Sequence, residues 1–195
     1  MKPILFNTEM VRAILGGRKT QTRRLVKPQP IGFTGRNFIF ADDECPKKWE
    51  QCDDFISTAL YHTGDILWVR ETWSKISDWS EVDPAVGIPD GFIYRADWPD
   101  GEDGPKWHPS IHMPREAARI FLRVTDVRVE RLWEIMDVPP GPDNPIVKEG
   151  VKYGCDFIAV WENTIKPADR DRYGWDANPW VWVICFKRIP KEAAE

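Results

Sequence analysis

The 195-residue chain has no run of about 18 apolar residues, so it offers no helix that would cross a bilayer. It has four Cys and three His, and neither type falls into ligand spacing. Cys45 and Cys52 are separated by six residues with no His close by, which is not the pattern of a zinc site. Cys155 stands alone, and Cys185 lies in an apolar run and reads as a core residue. A disulfide framework is therefore excluded, and a reducing compartment would keep all four as thiols. His108 and His112 are four apart, but Pro109 breaks the helix that would present both to one metal. No metal and no cofactor is expected. After Lys2 the only apolar stretch near the start is Pro3 to Phe6, too short for a signal peptide. A cytoplasmic location is expected, with no membrane partner.

What is present fits a globular domain: 42% hydrophobic and 30% charged residues. A chain of this length buries roughly 70% of its unfolded surface and needs no staple. Eleven Trp is unusual, and implies an aromatic core or rings that line a pocket. The net charge of −4 hides a dipole. Residues 1–30 hold seven basic residues (Lys2, Arg12, Arg18, Lys19, Arg23, Arg24, Lys27) against Glu9. Residues 115–131 hold five Arg against three acids. Acids dominate residues 41–54 and 78–104. The basic segments fall where regular structure is expected and suit a phosphate-bearing partner, RNA or DNA. Ordinary solvated charge is the alternative.

Thr8 is placed to cap a helix through Leu15, with Glu9 in its first turn and Gly16-Gly17 ending it. The polar run from Arg18 to Arg24 follows, then a short extended stretch, Leu25-Val26, ended by Pro28 and Pro30. His62 to Asp65 reads as a turn into a strand, Ile66 to Arg70. Phe92 to Tyr94 reads as a short strand. Residues 119–132 form a long strand whose apolar parity switches at Thr125-Asp126, which predicts a bulge or bend there. Residues 132–136 begin a helix, Lys148 to Val151 and Phe157 to Thr164 read as helical, and Trp180 to Phe186 reads as a strand buried on both sides. Residues 31–62 and 77–110 lack periodicity and read as insertions in one domain, 1–190, followed by a tail, 191–195. No internal repeat is visible.

The segment Ile14-Leu15-Gly16-Gly17-Arg18-Lys19-Thr20-Gln21-Thr22-Arg23-Arg24 resembles the opening of ASCH-domain proteins, which are related in fold to PUA domains. Gly64-Asp65-Ile66-Leu67, Glu149-Gly150-Val151 and the closing run Trp180 to Phe186 match later blocks of that family in order. Ser110 to Arg115 and Tyr173 to Pro179 are similar to a phage- or prophage-encoded branch, which would place the protein in a bacterial host cell. The resemblance implies an α+β fold, a PUA-like β-barrel with flanking helices. It also implies a chemistry, because small ASCH proteins are amidohydrolases that deacylate N4-acetylcytidine. Matched onto their motif, the catalytic residues are Lys19, Thr22 and Glu149.

Such hydrolysis needs an activated nucleophile, a proton acceptor and a donor to the leaving amine. Lys19 accepts a proton only when neutral, so its pKa must fall from about 10.4. Burial and the neighbouring charges of Arg18, Arg23 and Arg24 act in that direction, and a carboxylate beside Lys19 acts against it. The same three Arg are candidate contacts to nucleic acid or substrate. Trp68, Trp73 and Trp175 are candidates to stack on a base, and Arg70 is a candidate at the cleft lip or in an ion pair with Glu71. The structural alternatives are a solvated basic loop for Lys19 and Thr22, a helix N-terminal carboxylate for Glu149, and core packing for the Trp. Two functions follow: a reader of RNA, DNA or a modified nucleoside, or a hydrolase of an N-acylated one. A phage assembly factor that binds other proteins is a third.

Overall fold

Alternating side chains and bounding turns place nine strands among the described residues. They are β1 (Lys2–Leu5), β2 (Gln21–Leu25), β3 (Gly32–Phe33), β4 (Phe38–Ile39), β5 (Ile66–Arg70), β6 (Trp73–Lys75), β7 (Phe92–Tyr94), β8 (Phe121–Arg131) and β9 (Trp180–Ile189). The helices are α1 (Thr8–Leu15), α2 (Pro145–Lys148), α3 (Gly154–Thr164) and α4 (Arg170–Tyr173). The computed structural model describes residues 1–33, 38–40, 58–76, 91–139, 141 and 143–194. Most of the first expected insertion, the start of the second, and Cys45 and Cys52 lie outside the described residues.

The protein is α+β. Five strands form one mixed sheet in the order β1-β5-β8-β9-β2, and β3-β4 and β6-β7 form two small antiparallel sheets. β1 runs parallel to β5, whereas β5–β8 and β2–β9 are antiparallel. No closed barrel is found among the described residues. Contacts divide the chain into two compact units. The first holds Met1–Gly17, Asp65–Arg123 and Lys187–Glu195, and the second Arg18–Gly64 and Val124–Phe186.

In the first unit, α1 is capped one residue earlier than expected. Asn7, not Thr8, accepts the Met10 N–H at 2.9 Å. Val11, Ala13 and Ile14 form the buried face, and Gly17, at φ +71°, ends the helix. The core gathers Trp68, Trp73, Met113, Ala117, Ala118, Phe121 and Ala194.

In the second unit, two apolar clusters form. One joins Leu132, Ile135, Phe157, Trp161, Ile165, Val181 and Val183; the other joins Val26, Phe38 and Phe40. β9 is not buried on both sides throughout, because Val181 and Val183 are inside while Trp180, Trp182 and Cys185 are half-buried. In β8 both Thr125 and Asp126 are exposed between buried Val124 and Val127, so the alternation slips by one where the apolar parity switches.

Candidate functional site

The largest departure from the sequence reading is at the polar run. It is not a loop: Gln21 to Leu25 is strand β2, paired antiparallel with β9, Thr22 opposite Ile184. Hydrophobic periodicity is absent there because the buried side chains are polar. Lys19, Gln21, Thr22 and Arg23 are all buried. Burial of such groups requires partners, and the partners come from α2 and β8.

Glu149 is the second departure. It does not open a helix but closes α2, with its N–H donating to Pro145 and Ile146 carbonyls and Gly150 next at φ +87°. The dipole at that end disfavours a carboxylate, so the favourable N-terminal role does not apply. Its charge is met by cations. Lys19 Nζ donates to Glu149 Oε2 at 2.7 Å and to the Glu149 carbonyl at 2.8 Å. Arg23 Nη1 donates to Glu149 Oε1 at 3.0 Å, and its Nη2 to Glu130 Oε2 at 3.0 Å. Lys19 and Glu149 also form an antiparallel backbone bridge, and the Thr20 N–H donates to the Lys148 carbonyl at 2.9 Å. Gln21 Nε2 donates to the Pro145 carbonyl at 3.0 Å. Thus Lys19, Gln21 and Arg23, at alternate positions, all reach α2 or the residue that ends it.

The network continues along β8. Arg128 donates through Nε to Glu130, and through Nη1 to Asp126 at 3.0 Å and to Cys185 Sγ at 3.3 Å. Among the described residues, the Arg23 Nε is buried with no partner.

The surroundings of Lys19 lower its pKa. Burial pushes its pKa down, the Glu149 charge and hydrogen bond pull it up, and Arg24 and Arg23 push it down again; the outcome lies below the ordinary lysine value. Arg24 is also lowered, by burial first, against the pull of Glu149 and Tyr61. The buried Tyr61 is raised, chiefly by burial.

The remaining sequence candidates divide. Thr22 is buried, and strand alternation turns it to the face opposite Gln21 and Arg23. Its hydroxyl makes no hydrogen bond to Lys19 or Glu149 among the described residues. Arg18 is exposed and Arg24 half-buried. Trp68 and Trp73 belong to the core of the first unit rather than to an open stacking face. Arg70 does not pair with Glu71. Its Nε donates to the Met113 carbonyl at 3.1 Å and its guanidinium lies 5.3 Å from the Trp68 ring centroid. Glu71 is held by Arg119 instead, at 2.9 Å through both Nε and Nη2. Trp175 is half-buried in the second unit against Phe157 and Trp133. His112 sits in a 3-10 turn and the His108 ring packs against Trp73 at a tilt of 34°, with ring centroids 5.1 Å apart. Among the described residues no group of three His, Cys, Asp or Glu is placed to hold a metal, and no helix is long and apolar enough to cross a membrane.

Sequence reasoning missed Glu130 and Arg128 as parts of this site. Their spacing of two in a strand was a signal that they share a face, but nothing local showed that Arg23 would meet Glu130. No protein family, no curated protein and no solved structure matches the chain.

Proposed function

We propose that this protein is an ASCH-type, PUA-like domain that recognises a modified pyrimidine nucleoside, free or within nucleic acid, and hydrolyses its N4-acyl amide. The observation that supports this reading is the Lys19–Glu149 pair, a buried lysine of lowered pKa within 2.7 Å of a carboxylate. A neutral Lys19 takes the proton of the attacking oxygen, from water or Thr22. The acyl carbon–N4 bond then breaks, and the proton passes to the leaving amine; where Thr22 attacks, water, deprotonated by Lys19, then hydrolyses the acyl-threonine ester. Net, one water is consumed and cytidine and a carboxylic acid are released. Glu149 orients the Lys19 amine, and Arg24 and Arg23 disfavour its charge. No metal takes part in this scheme.

One observation favours a second reading, a reader without hydrolysis. The Lys19 side chain is 0% exposed. In that reading the pair clamps β2 to α2, and Arg18 supplies phosphate contact. Incubation with N4-acetylcytidine and longer N4-acyl analogues, with cytidine release followed by chromatography, separates the two. Release supports the hydrolase. No release from any analogue ends that reading, and titration with RNA and DNA at low salt then tests the reader.

A further inference from the structure

The Lys19 network takes up Arg128 of the second basic segment, residues 115–131, and leaves Arg119 outside it. Arg119 lines a cavity of about 460 Å³ within the first unit. The wall carries two further cations, Arg188 and Lys191, together with Leu15, Ile120, Ile189 and Pro190, and its accessible lining is mostly polar. No carboxylate lines it among the described residues. A volume of this order matches small-ligand sites, which run from roughly 300 to 1,000 Å³.

Arg119 is held rigidly. Glu71 binds it through two parallel hydrogen bonds, Asp97 accepts from Nη1, and the guanidinium lies 3.9 Å from the Tyr94 ring centroid. A guanidinium has five N–H donors. The bonds to Glu71 and Asp97 engage Nε and one N–H on each Nη, so each Nη keeps a second N–H. Arg188 and Lys191 are exposed, and among the described residues Arg188 makes a long contact, 3.5 Å, to the Leu15 carbonyl. One fixed guanidinium beside two adaptable cations in a mostly polar cavity suits a tetrahedral oxyanion.

We propose that this cavity binds a phosphate ester through Arg119, Arg188 and Lys191. Two sources share that chemistry, a free nucleotide monoester and the diester backbone of a single strand. The test is a set of NMR titrations with inorganic phosphate, uridine 5′-monophosphate and a short single-stranded oligouridylate. Amide shifts of Leu15, Ile120, Ile189 and Lys191 are the readout. Saturable shifts with phosphate and the monophosphate identify a small monoester; shifts with the oligonucleotide alone identify a strand. Arg188→Ala and Lys191→Ala change exposed side chains, leave the Glu71–Arg119 core intact, and each weaken binding about tenfold, the loss of one charge-assisted hydrogen bond. Lys166→Ala, an exposed cation of the second unit, leaves binding unchanged. No saturable shift with any of the three probes, or equal affinity in both cavity variants, overturns the proposal. Every lining residue belongs to the first unit, so the outcome is independent of whether Lys19 and Glu149 hydrolyse an amide.

Discussion

The Lys19 amine and the Glu149 carboxylate, 130 positions apart in the chain, lie 2.7 Å apart, with side chains 0% and 4% exposed. Removing Glu149 leaves Lys19 and Arg23 without their shared buried carboxylate, a loss of about 3–5 kcal/mol, whereas removing Lys19 leaves Glu149 its Arg23 partner. Glu149→Gln should destabilise the protein by that order in urea unfolding, and Lys19→Met by less. The double variant should lose less than the sum, because the second change removes the orphan created by the first. Additive losses would show that the pair is not coupled.

The lowered pKa of Lys19 gives stability a definite pH dependence. Below its folded pKa, the native state bears the full cost of holding a buried ammonium. Between that value and the ordinary 10.5, the unfolded chain binds the proton and the native state does not, so stability rises with pH. Stability of wild type relative to Lys19→Met should therefore increase as pH climbs through this window. Urea midpoints measured from neutral pH to about 10 check it, and a relative decline would mean that Glu149 holds the proton on Lys19.

If N4-acetylcytidine is hydrolysed, Lys19→Ala, Thr22→Ala and Glu149→Ala should each reduce turnover by about 100-fold or more, the typical contribution of a positioned proton transfer. Thr22→Ser should retain part of the activity if the hydroxyl is the nucleophile. Full activity in Thr22→Ala assigns the attack to water. Undiminished turnover in all three variants would place the chemistry elsewhere.

Arg18 and Arg23 should behave differently toward nucleic acid. Arg23 is buried and engaged by Glu149 and Glu130, whereas Arg18 is exposed. Arg18→Ala should lower the dependence of log affinity on log salt by about 0.7 for a single strand if it meets one phosphate. Arg23→Ala should instead lower thermal stability. A salt slope unchanged in Arg18→Ala removes that residue from the interface.

Trp73 is 6% exposed, and its Nε1 is buried without a partner among the described residues. Trp73→Ala should cost about 3–5 kcal/mol as a core truncation. Trp73→Phe should cost less, because it also removes an unsatisfied donor. Loss of nucleoside binding in a folded Trp73→Phe protein would instead return this ring to the site.

The elements legible in the sequence were those whose signal is local. Gly16-Gly17 ends α1 because a glycine takes the positive φ there. Strands β5, β7, β8 and β9 follow from apolar alternation or apolar runs, and even the slip at Thr125-Asp126 shows as a change of parity. Strand β2 was not legible, because Gln21, Thr22 and Arg23 have no apolar pattern. What buries them is β9 alongside and carboxylates from α2 and β8. Glu149 likewise lies at the end of α2 rather than its start, because Asn144 caps the helix and Pro145 begins it. The residue types of Lys19 and Glu149 are a property of the sequence. Their meeting, the burial that lowers the lysine pKa, and the recruitment of Glu130 to Arg23 are decided by tertiary structure. Desolvation and hydrogen bonding act between groups near in space, and distance along the chain does not report that nearness.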